Sequence, residues 1–123
     1  QLGVATEPGE PAGLSVRALA IGPGKVLWIG TDDGLLRRPL EGGQDVDFGI
    51  NRGLISNRIN DIAVANNLVY VAMDGGAAVG DGLLDFSRLG YTEGLPGQNA
   101  YQLYVGPDRR VWVRSEHGVG RFK

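Results

Sequence analysis

The chain contains no cysteine, a single histidine, a single methionine and two lysines among its 123 residues. Without thiols, neither a disulfide framework nor a thiolate metal site can form. Neither sign of charge dominates: 12 basic and 14 acidic side chains leave a formal net charge of −2, which gives no basic footprint for nucleic acid or an anionic membrane. The basic residues are almost all arginine, which reads as a compositional bias rather than as recognition chemistry. The longest apolar runs, at 18–21 and 68–73, fall far short of the roughly 20 residues that a helix needs to span a bilayer, and no signal-peptide pattern opens the chain. No Gly-x-Gly-x-x-Gly opens a helix, no phosphate-loop lysine follows a glycine stretch, and Asp45-Val46-Asp47 alone does not make a calcium loop. No cofactor and no metal site are therefore expected.

What the chain does have is glycine, 21 of them spread along the whole length, and a repeat. Trp28, Tyr70 and Trp112 stand 42 residues apart, and each is followed six residues later by a glycine, Gly34, Gly76 and Gly118. Around the anchors, Val26-Leu27-Trp28-Ile29-Gly30-Thr31-Asp32-Asp33-Gly34-Leu35 aligns with Leu68-Val69-Tyr70-Val71-Ala72-Met73-Asp74-Gly75-Gly76-Ala77 and with Arg110-Val111-Trp112-Val113-Arg114-Ser115-Glu116-His117-Gly118-Val119. Upstream, Leu19 and Ile21 match Ile62 and Val64, then Leu103 and Val105, across a one-residue deletion in the second copy. Gly53-Leu54 matches Gly94-Leu95. A period of this length signals a repeat architecture in which each copy is one supersecondary unit.

Bounded by Gly, Pro, Asn and Asp, the apolar and β-branched segments predict strands at 16–21, 26–31, 35–39 and 46–50, then 59–65, 68–73, 77–80 and 84–91, then 100–105, 110–115 and 119–122. The third copy stops one strand short, and residues 2–6 offer an outer strand whose own sheet lies elsewhere. The runs at 18–21, 26–29 and 68–72 are nearly continuous in apolar residues, so both faces of these strands are expected to be buried, whereas 45–50 alternates as a rim strand does. Stacked four-stranded sheets of a β-propeller meet that requirement; a two-sheet sandwich does not. The expected fold is therefore all-β: one segment over residues 1–123, with three antiparallel four-stranded blades of about 42 residues at 12–50, 51–91 and 92–123. Three blades are fewer than the four to eight that ordinarily close a ring. A partner is expected to close it, either a second copy completing a six-bladed ring or another protein chain supplying the remaining blades.

At Leu27-Trp28-Ile29-Gly30-Thr31-Asp32-Asp33-Gly34-Leu35 and Gly53-Leu54-Ile55-Ser56-Asn57-Arg58-Ile59 the chain resembles the two-component regulator propeller repeat, over essentially its whole length. That resemblance implies blades of an extracytoplasmic sensor region and a role in ligand or protein recognition. The start at Gln1 with Met73 as the lone methionine reads as a chain that has lost a leader or been cut from a longer one, which agrees with a periplasmic or extracellular location. The later copies depart from the repeat, with Tyr70-Val71-Ala72-Met73 and Trp112-Val113-Arg114-Ser115 in place of Trp-Ile-Gly-Thr.

The turns between second and third strands share one face of such an array with the loops that enter the inner strands. That face would gather Asp32, Asp33, Asp74, Glu116 and His117, with Arg58 and Asn99 beside them, as a ligand mouth of polar groups. Asp and Asn also suit turns for their own sake. The expected role is a non-catalytic binding or scaffold module, in a sensor or as an accessory subunit. The alternative is a propeller lyase or hydrolase: the third copy is also similar to the repeat of streptogramin-type lyases, which would put Glu116 and His117 to acid/base use.

Overall fold

The structure is a computed structural model that describes residues 15–83 and 85–123. The outer strand expected at residues 2–6, and Leu84 at the start of the segment expected over 84–91, lie outside the described residues. Strands β1 (Val16–Gly22), β2 (Val26–Thr31), β3 (Gly34–Pro39) and β4 (Val46–Phe48) pair antiparallel in chain order as a first sheet. A second sheet is formed in the same order by β5 (Ile59–Ala65), β6 (Leu68–Met73), β7 (Gly76–Gly80) and β8 (Ser87–Leu89). The third contains β9 (Gln102–Val105), β10 (Val111–Ser115) and β11 (Gly118–Arg121), so it has three strands rather than four among the described residues.

The second-to-third strand turns are tight for a reason visible in the sequence. Gly34, Gly76 and Gly118 adopt φ of +127°, +148° and +117°, conformations that cost a residue with a Cβ. In the first copy the Asp33 amide donates to Thr31 Oγ1 at 3.0 Å and that hydroxyl donates to the Gly34 carbonyl at 2.8 Å; in the third, the His117 amide donates to Ser115 Oγ at 3.2 Å.

The outer strands are shorter than expected. β4 ends at Phe48 and β8 at Leu89, because Ile50–Arg52 and Tyr91–Glu93 wind into single 3-10 turns. Each turn closes on a left-handed glycine, Gly53 at φ +92° and Gly94 at φ +116°. There the chain passes so close to the Phe86 carbonyl, or to that of Arg121, that a Cβ has no room. The alternating apolar pattern of 45–50 is blind to such a turn, since the change lies in the flanking glycines and not in the periodicity.

Each sheet has a leading face, turned toward the next sheet in the chain, and a trailing face turned toward the one before. On the leading face of the first sheet, Trp28, Leu35 and Phe48 meet Ile62, Val69, Val71 and Met73 on the trailing face of the second, with Phe86 from the β7–β8 connection between them. Trp28 lies 5.3 Å from Phe48 and 5.9 Å edge-on from Phe86, both within the range of favourable aromatic pairs. The second sheet leads with Ala63, Tyr70, Ala72 and Ala77 against Leu103, Val111 and Val113 of the third, where Tyr70 stacks on Phe122 at 6.1 Å.

The middle sheet is thus covered on both faces, as the unbroken apolar run of β6 requires. The end sheets are not. Leu19 and Ile21 on the trailing face of the first sheet are 60% and 58% exposed, although Ile29 and Leu36 beside them are buried; on the leading face of the third, Tyr104 and Val119 are 65% and 66% exposed. The expectation of two buried faces therefore holds at 68–72 and at Trp28 and Ile29 of the run 26–29, and fails at 18–21.

Candidate functional site

The starts of β1, β5 and β9 lie at the same end of the stack as the three tight turns, because the start of each inner strand pairs with the end of its neighbour: Val16 with Thr31, Ile59 with Met73, Gln102 with Arg114. At this end a cavity of about 310 Å³ opens between the sheets, lined by Arg17, Arg58, Asn60, Asp74, Asn99 and Tyr101. Of the residues expected at the mouth, Arg58, Asp74 and Asn99 come together here.

Asn60 is the centre of the arrangement. Its amide nitrogen donates to Asp74 Oδ1 at 3.0 Å and to the Ala100 carbonyl at 2.9 Å, and its Oδ1 accepts from Arg17 Nη2 at 3.3 Å. Arg17 Nε donates to the Ile59 carbonyl at 3.0 Å, so this guanidinium spans from the first sheet to the second. Arg58 faces Asp74 with Nε 3.5 Å from Oδ2, both side chains about half exposed, a geometry worth at most about 1 kcal/mol. Asn99 Oδ1 accepts from the Gly75 amide at 2.8 Å, and the Arg114 guanidinium sits 5.5 Å over the Tyr101 ring. The lining therefore holds two guanidinium groups, one carboxylate, two carboxamides and a phenol. A wider hollow of about 580 Å³ adjoins it across Asn99 and is more apolar, with Ile55, Leu89, Tyr91 and Leu95 in its wall.

The other four expected residues lie outside the cavity. Asp32 and Asp33 are exposed; the Asp32 amide donates to the Ser15 carbonyl at 3.3 Å. Glu116 occupies the same repeat position as Asp74 but does a different job. Its carboxylate accepts the Asn99 amide at 2.9 Å and the Gln98 amide at 2.8 Å, and these two backbone N–H groups, Asn99 first, hold its pKa below the ordinary glutamate value. His117 is exposed on the turn. Among the described residues, no group of three His, Cys, Asp or Glu side chains is placed to hold a metal ion.

Arg17, Asn60 and Tyr101 are lining residues that sequence reasoning missed. They are one repeat position written three times, two residues before Leu19, Ile62 and Leu103. Likewise Arg58 and Asn99 are equivalent, each two residues before that position. The signal was present but masked by the one-residue deletion, which makes the spacing 43 and then 41 residues.

No protein-family model and no curated protein matches the chain. Solved structures do. The extracellular domain of the hybrid two component system BT3049 from B. thetaiotaomicron superimposes with a TM-score of 0.76 at 18% identity, covering 97% of this chain and 17% of that one. The extracellular domain of the hybrid two component system BT4673 from the same organism gives 0.74 at 16% identity, covering 98% and 17%. The chain has the fold of a segment of such domains. It spans about a sixth of their length. Among the described residues no helix is long and apolar enough to cross a membrane.

Proposed function

We propose that the chain is a non-catalytic binding or scaffold module: blades of a sensor-type β-propeller, acting outside the cytoplasm, in a ring completed by a second copy or by another polypeptide. The observation that carries this reading is the cavity at the turn end. The repeat position held by Arg17, Asn60 and Tyr101 is polar in every copy, and all three side chains line that cavity with Arg58, Asp74 and Asn99, without any arrangement of nucleophile, base and orienting group. Likeness to segments of extracellular sensor domains supports the location and the role. The lyase or hydrolase alternative gains nothing from the geometry, because the Glu116 carboxylate is engaged by two backbone amides and His117 stands outside the cavity.

The test is calorimetric titration of the chain with a panel of small carboxylates, phosphates and neutral polyols, repeated with Arg58→Ala and Asn60→Ala. Saturable binding of a panel member, unchanged in chemistry on recovery and weakened by both substitutions, is expected. Turnover of the bound compound, or binding indifferent to both residues, refutes the proposal.

A further inference from the structure

We infer that the cavity at the turn end and the hollow beside it take one small monocarboxylate with an apolar tail, the carboxylate held by Arg58 and the tail lying against Ile55, Leu89 and Tyr91. This assignment, which rests on the binding reading above, follows from what the lining side chains have already committed. Both hydrogens of the Asn60 amide are used, on Asp74 Oδ1 and on the Ala100 carbonyl, and its Oδ1 accepts from Arg17 Nη2. The second oxygen of Asp74 faces Arg58 Nε, and Asn99 Oδ1 is taken by the Gly75 amide. The capacity left over is mostly donor. Both terminal nitrogens of Arg58, Nη1 of Arg17, the Asn99 amide nitrogen and the Tyr101 hydroxyl make no hydrogen bond among the described residues.

A lining of free donors suits a ligand that only accepts, and suits a neutral polyol poorly, since a polyol's hydroxyls also need acceptors. Two guanidinium groups against one carboxylate leave the lining with a single net positive charge, which one carboxylate balances. A phosphate dianion overshoots that balance and stands against the like charge of Asp74. Arg58 is tethered only through Nε, so its two terminal nitrogens can meet the two oxygens of a carboxylate, the bidentate geometry that guanidinium favours. The tail follows from the adjoining hollow, which shares Asn99 with the cavity and has Ile55, Leu89, Tyr91 and Leu95 in its wall. Tyr91 is 69% exposed, an aromatic surface for the tail to cover. Arg88 and Glu93 in the same wall are of opposite sign, so the hollow adds no net charge, and the Glu93 carboxylate is already engaged by the Gly90 amide and the Thr92 hydroxyl. At about 310 and 580 Å³, cavity and hollow each fall within the range of small-molecule sites, roughly 300–1,000 Å³.

Phenylacetate is the probe, titrated calorimetrically into the 123-residue chain beside phenylacetamide, acetate, inorganic phosphate and glycerol. Phenylacetate is expected to bind saturably and about tenfold or more tightly than the amide, which lacks the charge, or than acetate, which lacks the tail. Arg58→Gln should abolish the preference for acid over amide. Tyr91→Ala should weaken phenylacetate and leave acetate unchanged. Arg58 is about half exposed in a weak ion pair and Tyr91 is more exposed still, so both variants keep the fold, and the comparison of acid with amide needs no variant at all. Acid and amide bound alike, a preference that survives Arg58→Gln, or acetate bound as tightly as phenylacetate overturns the assignment. So does phosphate or glycerol bound in preference to phenylacetate; if that binding is weakened by Arg58→Ala and Asn60→Ala, the binding reading above still stands. Hydrolysis of phenylacetamide to phenylacetate and ammonia removes both.

Discussion

Trp28 and Trp112 hold the same position in two copies of one repeat, yet replacing each by alanine should have very different effects. Trp28 is 1% exposed and packed against Phe48 and Phe86; truncating a buried tryptophan to alanine costs about 3–5 kcal/mol, the lost transfer energy and the cavity together. Trp112 is 39% exposed, and its main partner is the Arg121 guanidinium, an exposed cation–π contact worth about 0.5–1 kcal/mol. Trp112→Ala should therefore cost no more than about 1 kcal/mol. Small domains are stable by only about 5–15 kcal/mol, so Trp28→Ala should remove a large share of the total. With a urea dependence of about 1.5–2 kcal/mol per molar, the midpoint should fall by roughly 2 M for Trp28→Ala and by about 0.5 M or less for Trp112→Ala. Circular dichroism across a urea series at low protein concentration reads both. Equal costs, or a loss above about 2 kcal/mol for Trp112→Ala, would show that the two tryptophans are not in the different surroundings described here.

Asp61→Ala removes the acceptor for the Leu103 amide of the next sheet, at 2.7 Å, and for the Ile62 amide, at 2.9 Å. Charged hydrogen bonds of this kind are worth about 1.5–3 kcal/mol, and hydrogen exchange at the Leu103 amide should accelerate while exchange within β2 does not change. Gly94→Ala should destabilise by clearly more than Gly118→Ala: both glycines sit near φ +117°, but a Cβ on Gly94 meets the Arg121 carbonyl whereas one on Gly118 meets nothing within 4 Å. Equal thermal shifts for the two variants would remove the close approach as the reason for glycine at 94. Glu116 is held more acidic in the folded chain than the ordinary value of 4.5, so protons bind the unfolded chain more readily. The stabilisation it gives is complete above that ordinary value and lost as pH falls through the lower folded value. Glu116→Gln should flatten the fall in melting temperature over that acidic window, and a profile parallel to that of the unsubstituted chain would contradict the role.

The strands most legible in the sequence are the ones whose neighbours are inside the chain. β2, β5 and β6 begin and end where the apolar runs do, and the paired positions around Trp28, Tyr70 and Trp112 follow from the period alone. The outer strands were misjudged at Ile50 and Tyr91, where glycines on either side impose a 3-10 turn on an otherwise strand-like pattern. Burial was misjudged at Leu19 and Ile21 for a different reason: an apolar run records what a strand is suited to pack against, not whether the packing partner belongs to the same chain. The site was half legible. Arg58, Asp74 and Asn99 could be assigned to one end of the stack from turn position. The separation of Asp74 from Glu116 could not, because two equivalent carboxylates diverge only through the loops opposite them, Asn60 and Arg58 in one case and the Gln98 and Asn99 amides in the other.

Side chains that link one sheet to the next give the array a direction. Arg17 of the first sheet donates to the Ile59 carbonyl of the second, Asp61 of the second accepts the Leu103 amide of the third, and Arg37 of the first reaches the Gly82 carbonyl in the β7–β8 connection. In these three bonds the reaching side chain belongs to the earlier sheet and the backbone group to the later one, while the Asn99 carboxamide, which accepts the Gly75 amide, runs the other way. A buried or half-buried inner-strand amide or carbonyl left without such a partner costs about 1–3 kcal/mol, so the later sheet depends on the earlier one for polar satisfaction as well as for apolar cover. Such dependence between neighbours makes the stability of a repeat array a sum of unit and interface contributions, with the unit that has two neighbours the most secure. Here that unit is the second sheet. Its faces meet Trp28 on one side and Phe122 on the other, and its cavity residues, Arg58, Asn60 and Asp74, sit on the best-supported part of the stack.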